Sequence, residues 1–147
     1  MKALKFGFLY LLLEANEAMK YKKCELYDEL MKNGLDGFEG LNLGHWICLT
    51  LFATGYNTNH YEFTRGIPYY GLFYLSGREW CTNERHASKN LCKIHCEKFL
   101  DDDIRDDIEC AKKVAASKKG MLSWKPFQDY CRHPMPEVVF WECKRKK

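Results

Sequence analysis

The sequence predicts an α+β fold, with helices toward both ends of the chain and a small sheet between them. Apolar residues recur at helical spacing in the first and last thirds of the 147 residues, whereas aromatic and β-branched residues around a turn dominate the middle. Eight cysteines are spread along the chain. The length suffices for one domain with a hydrophobic core of its own.

Two helices are predicted in the first third of the chain. Residues 23–32 place apolar side chains at helical spacing, and Asn33-Gly34 ends this helix because glycine readily adopts the left-handed conformation of a helix end. Residues 43–53 repeat the apolar periodicity. Trp46 lies in the middle of the second apolar face, which assigns it to the core.

Strands and later helices follow. Residues 57–75 are rich in aromatic and β-branched side chains around a turn at Arg65-Gly-Ile-Pro68, a pattern typical of strands. A third helix is predicted to follow Asp106 and to run to about Ser117. A shorter turn near residues 124–130 precedes a tail that we predict to be irregular and held by cysteines.

The first 18 residues have the pattern of a secretory signal peptide. Lys2 and Lys5 precede an apolar run at residues 6–13, which is much shorter than the roughly 20 residues that cross a bilayer. We expect cleavage near Met19 or Lys20, and a secreted, extracellular protein in which residues 19–147 form a single domain. No later stretch predicts stable insertion in a membrane.

All eight cysteines lie after the predicted signal peptide. In an exported chain an even number of cysteines predicts disulfides, although the spacing alone leaves the pairing open. A zinc site is the alternative interpretation. It is disfavoured because Cys92 and Cys96 lack the paired CxxC motifs that structural zinc sites usually show.

The net charge of the chain excludes few classes of function. A formal net charge of +3 gives no indication of a nucleic-acid partner. Basic groups at residues 20–23 and 144–147 are either solvated ends of the chain or contacts for an anionic surface.

Several short motifs occur together along the whole predicted mature chain. These are Cys24-Glu-Leu26, Gly34-Leu-Asp36, Trp46-Ile-Cys48, Tyr56-Asn-Thr58, Tyr70-Gly-Leu72, Trp80-Cys81, Cys110-Ala-Lys-Lys113, Trp124 and Trp141. With these motifs and its cysteine spacing, the chain resembles the C-type lysozyme and α-lactalbumin family, glycoside hydrolase family 22. The resemblance implies a lysozyme fold, in which a helical lobe and a small antiparallel β lobe border a cleft. It also implies four disulfides: Cys24–Cys143, Cys48–Cys131, Cys81–Cys96 and Cys92–Cys110.

The resemblance also locates the residues that a hydrolase would need. Cleavage of a glycosidic bond takes one carboxylic acid to protonate the leaving oxygen and a second carboxylate to support the sugar cation, and lysozyme is the type case of this chemistry. The resemblance places the two acids at Ala53 and Tyr69. Neither a methyl group nor a phenol, with its ordinary pKa of about 10, replaces a carboxylic acid at neutral pH. We interpret Glu62 and Glu79, the neighbouring acids, as surface charges, and predict that the protein is not an enzyme.

Part of a saccharide site remains in the sequence. Trp80 and Trp124 match cleft aromatics of the family, whose faces pack against sugar rings. Tyr74, Ser76, Glu79 and Ser117 replace side chains that help the family hold N-acetylglucosamine polymers. We therefore predict a weakened saccharide site at Trp80, Trp124, Tyr74 and Ser76. The alternative is that both tryptophans serve only as core packing.

Residues 98–107 contain five aspartates within seven positions. Crowded carboxylates repel one another, and a hard cation that prefers oxygen ligands would neutralise them. The segment lacks the spacing of an EF-hand but resembles the calcium elbow of α-lactalbumin and of calcium-binding lysozymes. The resemblance implies a structural Ca²⁺ held by the side chains of Asp101, Asp106 and Asp107 and by the backbone carbonyls of Lys98 and Asp103. The alternative is that two of these aspartates only cap the following helix.

Three functions are compatible with these features. The first is a secreted, non-catalytic, calcium-stabilised monomer that binds an N-acetylglucosamine-containing glycan or a glycoprotein through a residual cleft. The second is an α-lactalbumin-like regulator of a galactosyltransferase, which Trp141 supports, although Leu51, Phe52 and Phe140 replace family residues that contact the enzyme. The third is an antibacterial protein with residual or cationic activity, supported by the basic residues 144–147. We favour the first.

Overall fold

The computed structural model describes residues 20–145 and has the predicted α+β architecture. The five α-helices in this part of the chain are α1 (Lys23–Lys32), α2 (Leu43–Thr54), α3 (Arg105–Ala116), α4 (Lys125–Tyr130) and α5 (Trp141–Arg145). One antiparallel sheet has the strand order β1 (Tyr61–Thr64), β2 (Ile67–Tyr70) and β3 (Leu75–Ser76). The predicted signal peptide lies outside the described residues. None of the helices between residues 20 and 145 is long and apolar enough to span a membrane.

The first two helices begin and end where local chemistry predicts. The Lys22 backbone N–H donates to Glu25 Oε1 (3.2 Å) at the start of α1, and Gly34 follows its end with φ +81°. At the start of α2 the His45 N–H donates to Asn42 Oδ1 (3.3 Å). Gly55, with φ +61°, terminates α2 one residue later than predicted.

The C-terminal tail corrects the sequence prediction, because part of it is helical. A 3₁₀ turn at Glu137–Phe140 leads into α5. Phe140 is buried, and its ring stacks on Tyr27 of α1 with 5.1 Å between centroids. Cys143 of α5 forms a disulfide with Cys24, which also belongs to α1. These tertiary contacts stabilise a helix that is too short to be recognised from its own periodicity.

The sheet is a short meander whose hairpin explains the turn signal. Arg65 and Gly66, with φ +53° and +76°, form the two-residue connection between β1 and β2. Both central residues of a type I′ turn require positive φ, which fits this pair. The prediction placed Ile67 and Pro68 in the turn, but they already belong to β2. The tight turn leaves room for pairing to begin immediately after Gly66.

The register of the sheet decides which side chains face together. Tyr69 of β2 pairs with Glu62 of β1 and with Ser76 of β3. Directly paired residues lie on the same face of a sheet, so these three side chains share one face. Tyr70 and Leu75 lie on the opposite face and are buried in the core.

Trp46 of α2 lies in the main core cluster. It is fully buried, and its ring meets those of Phe73 and Trp124 edge to face, at centroid distances of 6.2 and 6.1 Å. Buried side chains from the helices and the sheet belong to the same cluster. The core therefore joins the helical residues to the loop that follows β2.

Four disulfides fasten the chain, in the pairing that the resemblance implies. They are Cys24–Cys143, Cys48–Cys131, Cys81–Cys96 and Cys92–Cys110. No cysteine is free to bind a metal, so the alternative zinc site is excluded. Long-range bonds of this kind restrict the unfolded chain and suit a small exported domain.

Replacing Gly71 with alanine tests the close contact behind the sheet. Gly71 has φ +78°, and an added Cβ would overlap the Phe99 carbonyl oxygen and lie 2.7 Å from Asp107 Oδ2. Gly40 has a similar φ of +75°, but a Cβ added there would meet no other atom within 4 Å. We expect G40A to lower the free energy of unfolding by about 1 kcal/mol, from backbone strain alone. We expect G71A to lower it by about 3 kcal/mol or more, from strain and overlap together. Urea unfolding measures both, and equal losses would contradict this account.

Candidate functional site

Two neighbouring cavities lie between the sheet and the helices. The first, which we call the tryptophan cavity, has a volume of about 160 Å³. Its lining includes the four residues predicted to bind saccharide: Tyr74, Ser76, Trp80 and Trp124. The structure therefore brings together side chains that are up to fifty positions apart in the sequence.

The second cavity, which we call the Phe52 cavity, has a volume of about 240 Å³. The rings of Phe52 and Tyr130 stack at its wall, with centroids 4.6 Å apart, and both are exposed. Sequence analysis missed this aromatic pair as part of the site. No local signal links residues on α2 and α4 that meet only in the folded chain.

Tyr69 and Tyr74 line both cavities. Their rings are parallel within 6° and their centroids lie 4.2 Å apart. The Tyr74 hydroxyl donates a hydrogen bond to Glu62 Oε2. His60 Nε2 lies 3.5 Å from the other oxygen of that carboxylate. We call Tyr69 and Tyr74 the tyrosine partition.

Both phenols of the partition are neutral at ordinary pH. Burial raises the pKa of Tyr74 above its usual value, and the hydrogen bond to Glu62 raises it further. Burial also raises the pKa of Tyr69. The partition therefore presents two uncharged aromatic rings, and not a charged group, to both cavities.

The two positions where the resemblance implies catalytic acids have different surroundings. Ala53 is partly buried, packs against the core, and lines neither of the two cavities. Tyr69 lies in the partition. The carboxylates that do line the cavities are Glu79, which is exposed, and Glu62 and Asp129. Asp129 lies 3.3 Å from Lys125 Nζ.

Glu62 is a partly exposed acid at the surface, as predicted, but it is also a residue of the cleft. Its side chain is 45% exposed, but its carboxylate accepts the hydrogen bond from Tyr74 and lies opposite Tyr69 in the sheet. Alternation in β1 places Glu62 on the cleft face, but only the register with β2 shows which residues it meets. Glu79 is exposed, as expected.

Both cleft tryptophans are also packing residues. Trp124 is 3% exposed, and its Nε1–H donates to the Phe73 carbonyl oxygen at 2.6 Å. Trp80 is 7% exposed. Only a small part of each ring is therefore available to a ligand in the tryptophan cavity, while the rest contributes to the core.

Three of the five predicted calcium ligands lie close together at the start of α3. Carboxylate oxygens of Asp101, Asp106 and Asp107 all lie within 4.8 Å of one another. Asp107 is fully buried, and neither of its oxygens has a hydrogen-bond partner in the described part of the chain. Burial, followed by the nearby Asp106, raises the pKa of Asp107 well above its usual value. A buried carboxylate without a donor is costly, and an oxygen-preferring cation would satisfy it.

The other predicted ligands lie in the same loop. Lys98 belongs to the 3₁₀ turn Cys96–Leu100 that precedes Asp101. The Asp103 carboxylate accepts hydrogen bonds from Arg105 Nε (2.9 Å) and Nη2 (2.5 Å), and this lowers the pKa of Asp103 to about 2. The Asp103 side chain is thus engaged by Arg105 and not by the cluster of three carboxylates.

Capping alone does not account for the buried aspartate. The Asp107 N–H donates to Asp106 Oδ1 at 2.8 Å, so Asp106 satisfies one free donor at the start of α3. The carboxylate of Asp107 takes no part in capping, since both of its oxygens are unpartnered within residues 20–145. The donor set of three clustered carboxylates fits a calcium ion.

Comparison with known proteins identifies the family. Residues 19–143 match the model of the C-type lysozyme/alpha-lactalbumin family. The chain belongs to this family. It is similar to lysozyme from Equus asinus, whose crystal structure superposes with a TM-score of 0.81 at 36% identity, covering 85% of this chain and 98% of that one. The architecture is therefore the lysozyme fold.

Relatives within the family carry different names. The chain is 35% identical to alpha-lactalbumin of Tachyglossus aculeatus aculeatus, over 84% of this chain and 98% of that protein. It is 40% identical to the milk isozyme of lysozyme C of Canis lupus familiaris, over 76% and 88% of the two chains. It is 38% identical to sperm acrosome-associated protein 5 of Mus musculus, over 82% and 76%. Membership of the family does not decide which of these relatives this chain resembles in function. The function must therefore be argued from the residues of the site.

Substitution of Trp124 by phenylalanine tests its structural role. W124F leaves the buried Phe73 carbonyl without its donor and removes part of a buried ring. We expect a loss of about 2 kcal/mol in the free energy of unfolding. W141F is the matched control, because Trp141 is 58% exposed, and its expected change is below about 0.5 kcal/mol. Equal denaturation midpoints for the two variants would contradict a packing role for Trp124.

Proposed function

We propose that this chain is a secreted, non-catalytic member of its family that binds saccharide through the remaining cleft and is stabilised by calcium. The observation that carries the proposal is the chemistry at the two implied acid positions. Ala53 supplies a methyl group packed on the core, and Tyr69 supplies a neutral phenol stacked on Tyr74. Neither can donate or accept a proton as a glycosidase carboxyl does.

The remaining acids of the cleft are poor substitutes. A general acid needs an environment that keeps it protonated, as an apolar pocket does in lysozyme, the type case. Glu79 is exposed and Asp129 pairs with Lys125. The Glu62 carboxylate is already engaged by the Tyr74 hydroxyl and lies 3.5 Å from His60 Nε2. These surroundings support a binding protein over a hydrolase.

The tryptophan cavity has the composition of a saccharide site. Ring portions of Trp80 and Trp124 provide apolar surface, and Ser76 provides a hydroxyl that can donate and accept hydrogen bonds. Pockets for small ligands combine mostly apolar walls with a few polar groups in this way. A glycan, free or on a glycoprotein, is the ligand we propose.

Two other functions have weaker support. An α-lactalbumin-like regulator is favoured by the identity to alpha-lactalbumin, but Phe140 is buried against Tyr27 and is not available to a partner enzyme. An assay of glucose acceptance by a galactosyltransferase distinguishes this function. A cationic antibacterial role depends on the basic tail, in which Lys144 pairs with Glu137 at 2.7 Å and residues 146–147 lie outside the described chain.

Catalysis is tested by restoring the acids. We expect the wild-type protein to release no shortened products from bacterial cell wall or from chitin oligomers. We expect the double variant A53E/Y69D to gain measurable cleavage, because it supplies both carboxyl groups. The amide pair A53Q/Y69N is the matched control and should stay inactive. Cleavage by the wild-type protein at even a small fraction of a lysozyme's rate would sink the non-catalytic proposal.

Calcium binding is tested by thermal unfolding. A ligand that binds only the folded state stabilises it by RT ln(1 + [L]/Kd), about 3 kcal/mol at a hundredfold excess over Kd. We expect millimolar calcium to raise the Tm of the wild-type protein above its value in chelator. D107N should lose this increment while being at least as stable as wild type in chelator, because it removes a buried charge.

The matched control for this measurement is D102N. Asp102 is exposed and lies outside the cluster of three carboxylates. The D102N protein should therefore keep the calcium-dependent increment in Tm. A wild-type Tm that is the same in calcium and in chelator would refute the site.

A further inference from the structure

We propose that the tyrosine partition restricts the tryptophan cavity to the terminal sugar of a glycan, so that the protein binds chain ends and not the interior of a polymer. This inference rests on the proposed saccharide binding and adds its specificity. The two cavities have only Tyr69, Tyr74 and Lys125 in common. We take these three residues as a wall that divides the cleft into two compartments.

The wall is formed from both sides of the cleft. Tyr69 belongs to the central strand β2, and the Tyr74 ring covers it in a parallel stack. Lys125, the first residue of α4, lines both cavities from the helical side. A sugar chain that ran from the tryptophan cavity into the Phe52 cavity would have to pass between the stacked rings and this lysine.

Several contacts hold the partition in place. The Tyr74 hydroxyl donates to Glu62, which is the cross-strand neighbour of Tyr69. Swinging Tyr74 aside would break both a hydrogen bond to a charged group and an aromatic stack. Swinging Tyr69 aside would break the same stack. We therefore expect the partition to stay closed when a ligand enters the tryptophan cavity.

The size of the tryptophan cavity fits a chain end. It is the smaller of the two cavities, about 160 Å³ against about 240 Å³, which limits how much of a glycan it can hold. A terminal sugar can enter it with its ring against the apolar parts of Trp80 and Trp124. The next sugar would then lie toward the opening of the cavity, because the partition closes the other side.

The charges around the cavity favour a neutral sugar. The positive charge of Lys125 is compensated by Asp129, whose Oδ2 lies 3.3 Å from its Nζ. The other charged residue of the tryptophan cavity is the exposed Glu79, which repels a sulfate or a carboxylate. The terminal residue that fits is therefore uncharged, such as N-acetylglucosamine, and not a sialic acid.

Oligosaccharides with blocked ends test this inference directly. β-1,4-linked N-acetylglucosamine oligomers, from the disaccharide to the hexasaccharide, are titrated into the calcium-loaded mature protein by calorimetry. The same hexasaccharide is then used with a bulky group at the non-reducing end, at the reducing end, or at both. We expect affinity to stop rising after the first few sugars. We also expect blocking of the end that enters to weaken binding at least about tenfold.

Variants of the tyrosine partition provide the second part of the test. Y69A/Y74A removes both rings, and its affinity should keep rising with oligomer length and should survive blocking of both ends. Y69F keeps both rings and the hydrogen bond from Tyr74 to Glu62, and it should behave as the wild-type protein does. Y61A is the matched control, because Tyr61 is exposed on the opposite face of the same sheet. The blocked-end titrations of the wild-type protein decide the question even if Y69A/Y74A fails to fold.

The outcomes separate this inference from the function on which it rests. Loss of binding on blocking one end supports the partition. Equal affinity of the wild-type protein for free and doubly blocked hexasaccharide overturns the partition but leaves saccharide binding standing. Absence of binding to any oligomer, by the wild-type protein and by Y69A/Y74A, overturns the saccharide function itself and the inference with it.

Discussion

A buried carboxylate at the start of α3 constrains the rest of this structure. Asp107 is fully inside the protein, its oxygens have no hydrogen-bond partner in the described residues, and Asp101 and Asp106 add negative charge beside it. An uncompensated charge in such a place costs several kcal/mol. The fold therefore depends on whether this charge is neutralised by protons or by a cation, and the loop before α3 has the oxygen ligands for a cation.

The same carboxylate lies next to the backbone that leads into the cleft. Gly71 follows β2 directly, and a side chain there would lie 2.7 Å from Asp107 Oδ2. The Tyr74 N–H donates to the Gly71 carbonyl oxygen at 3.1 Å, so the turn that carries Tyr74 begins at this contact. The turn that carries Tyr74 thus begins beside Asp107, one of the three clustered carboxylates.

Much of the architecture could be predicted from the sequence because it is encoded locally. Helix α1 has the predicted bounds, since a run of apolar residues at helical spacing and Asn33-Gly34 determine them. Helix α5 was missed because Phe140 and Cys143 stabilise it through contacts with α1. Short helices of this kind depend on tertiary packing, which a pattern within five residues does not display.

The site shows the same division between local and long-range information. Clustered aspartates at 101–107 are a local signal, and the structure brings three of their carboxylates together. The tyrosine partition is not a local signal, because it depends on the pairing of Glu62 with Tyr69 and on the turn that places Tyr74 over that pair. A shift of β2 by one residue would turn Tyr69 to the other face of the sheet. The register therefore had to be known before the partition could be recognised.

The two positions where the resemblance implies acids carry side chains that pack. Carboxyl groups kept in an active site are held at a cost to stability, because they are partly desolvated and repel each other. In this chain Ala53 packs against the core and Tyr69 stacks on Tyr74, so both positions contribute to packing. A carboxylate at position 69 would lose that stack and would face Glu62 across the strand pair, where like charges destabilise a sheet. The surroundings of position 69 thus suit a ring, so an acid placed there costs stability as well as changing the chemistry of the cleft.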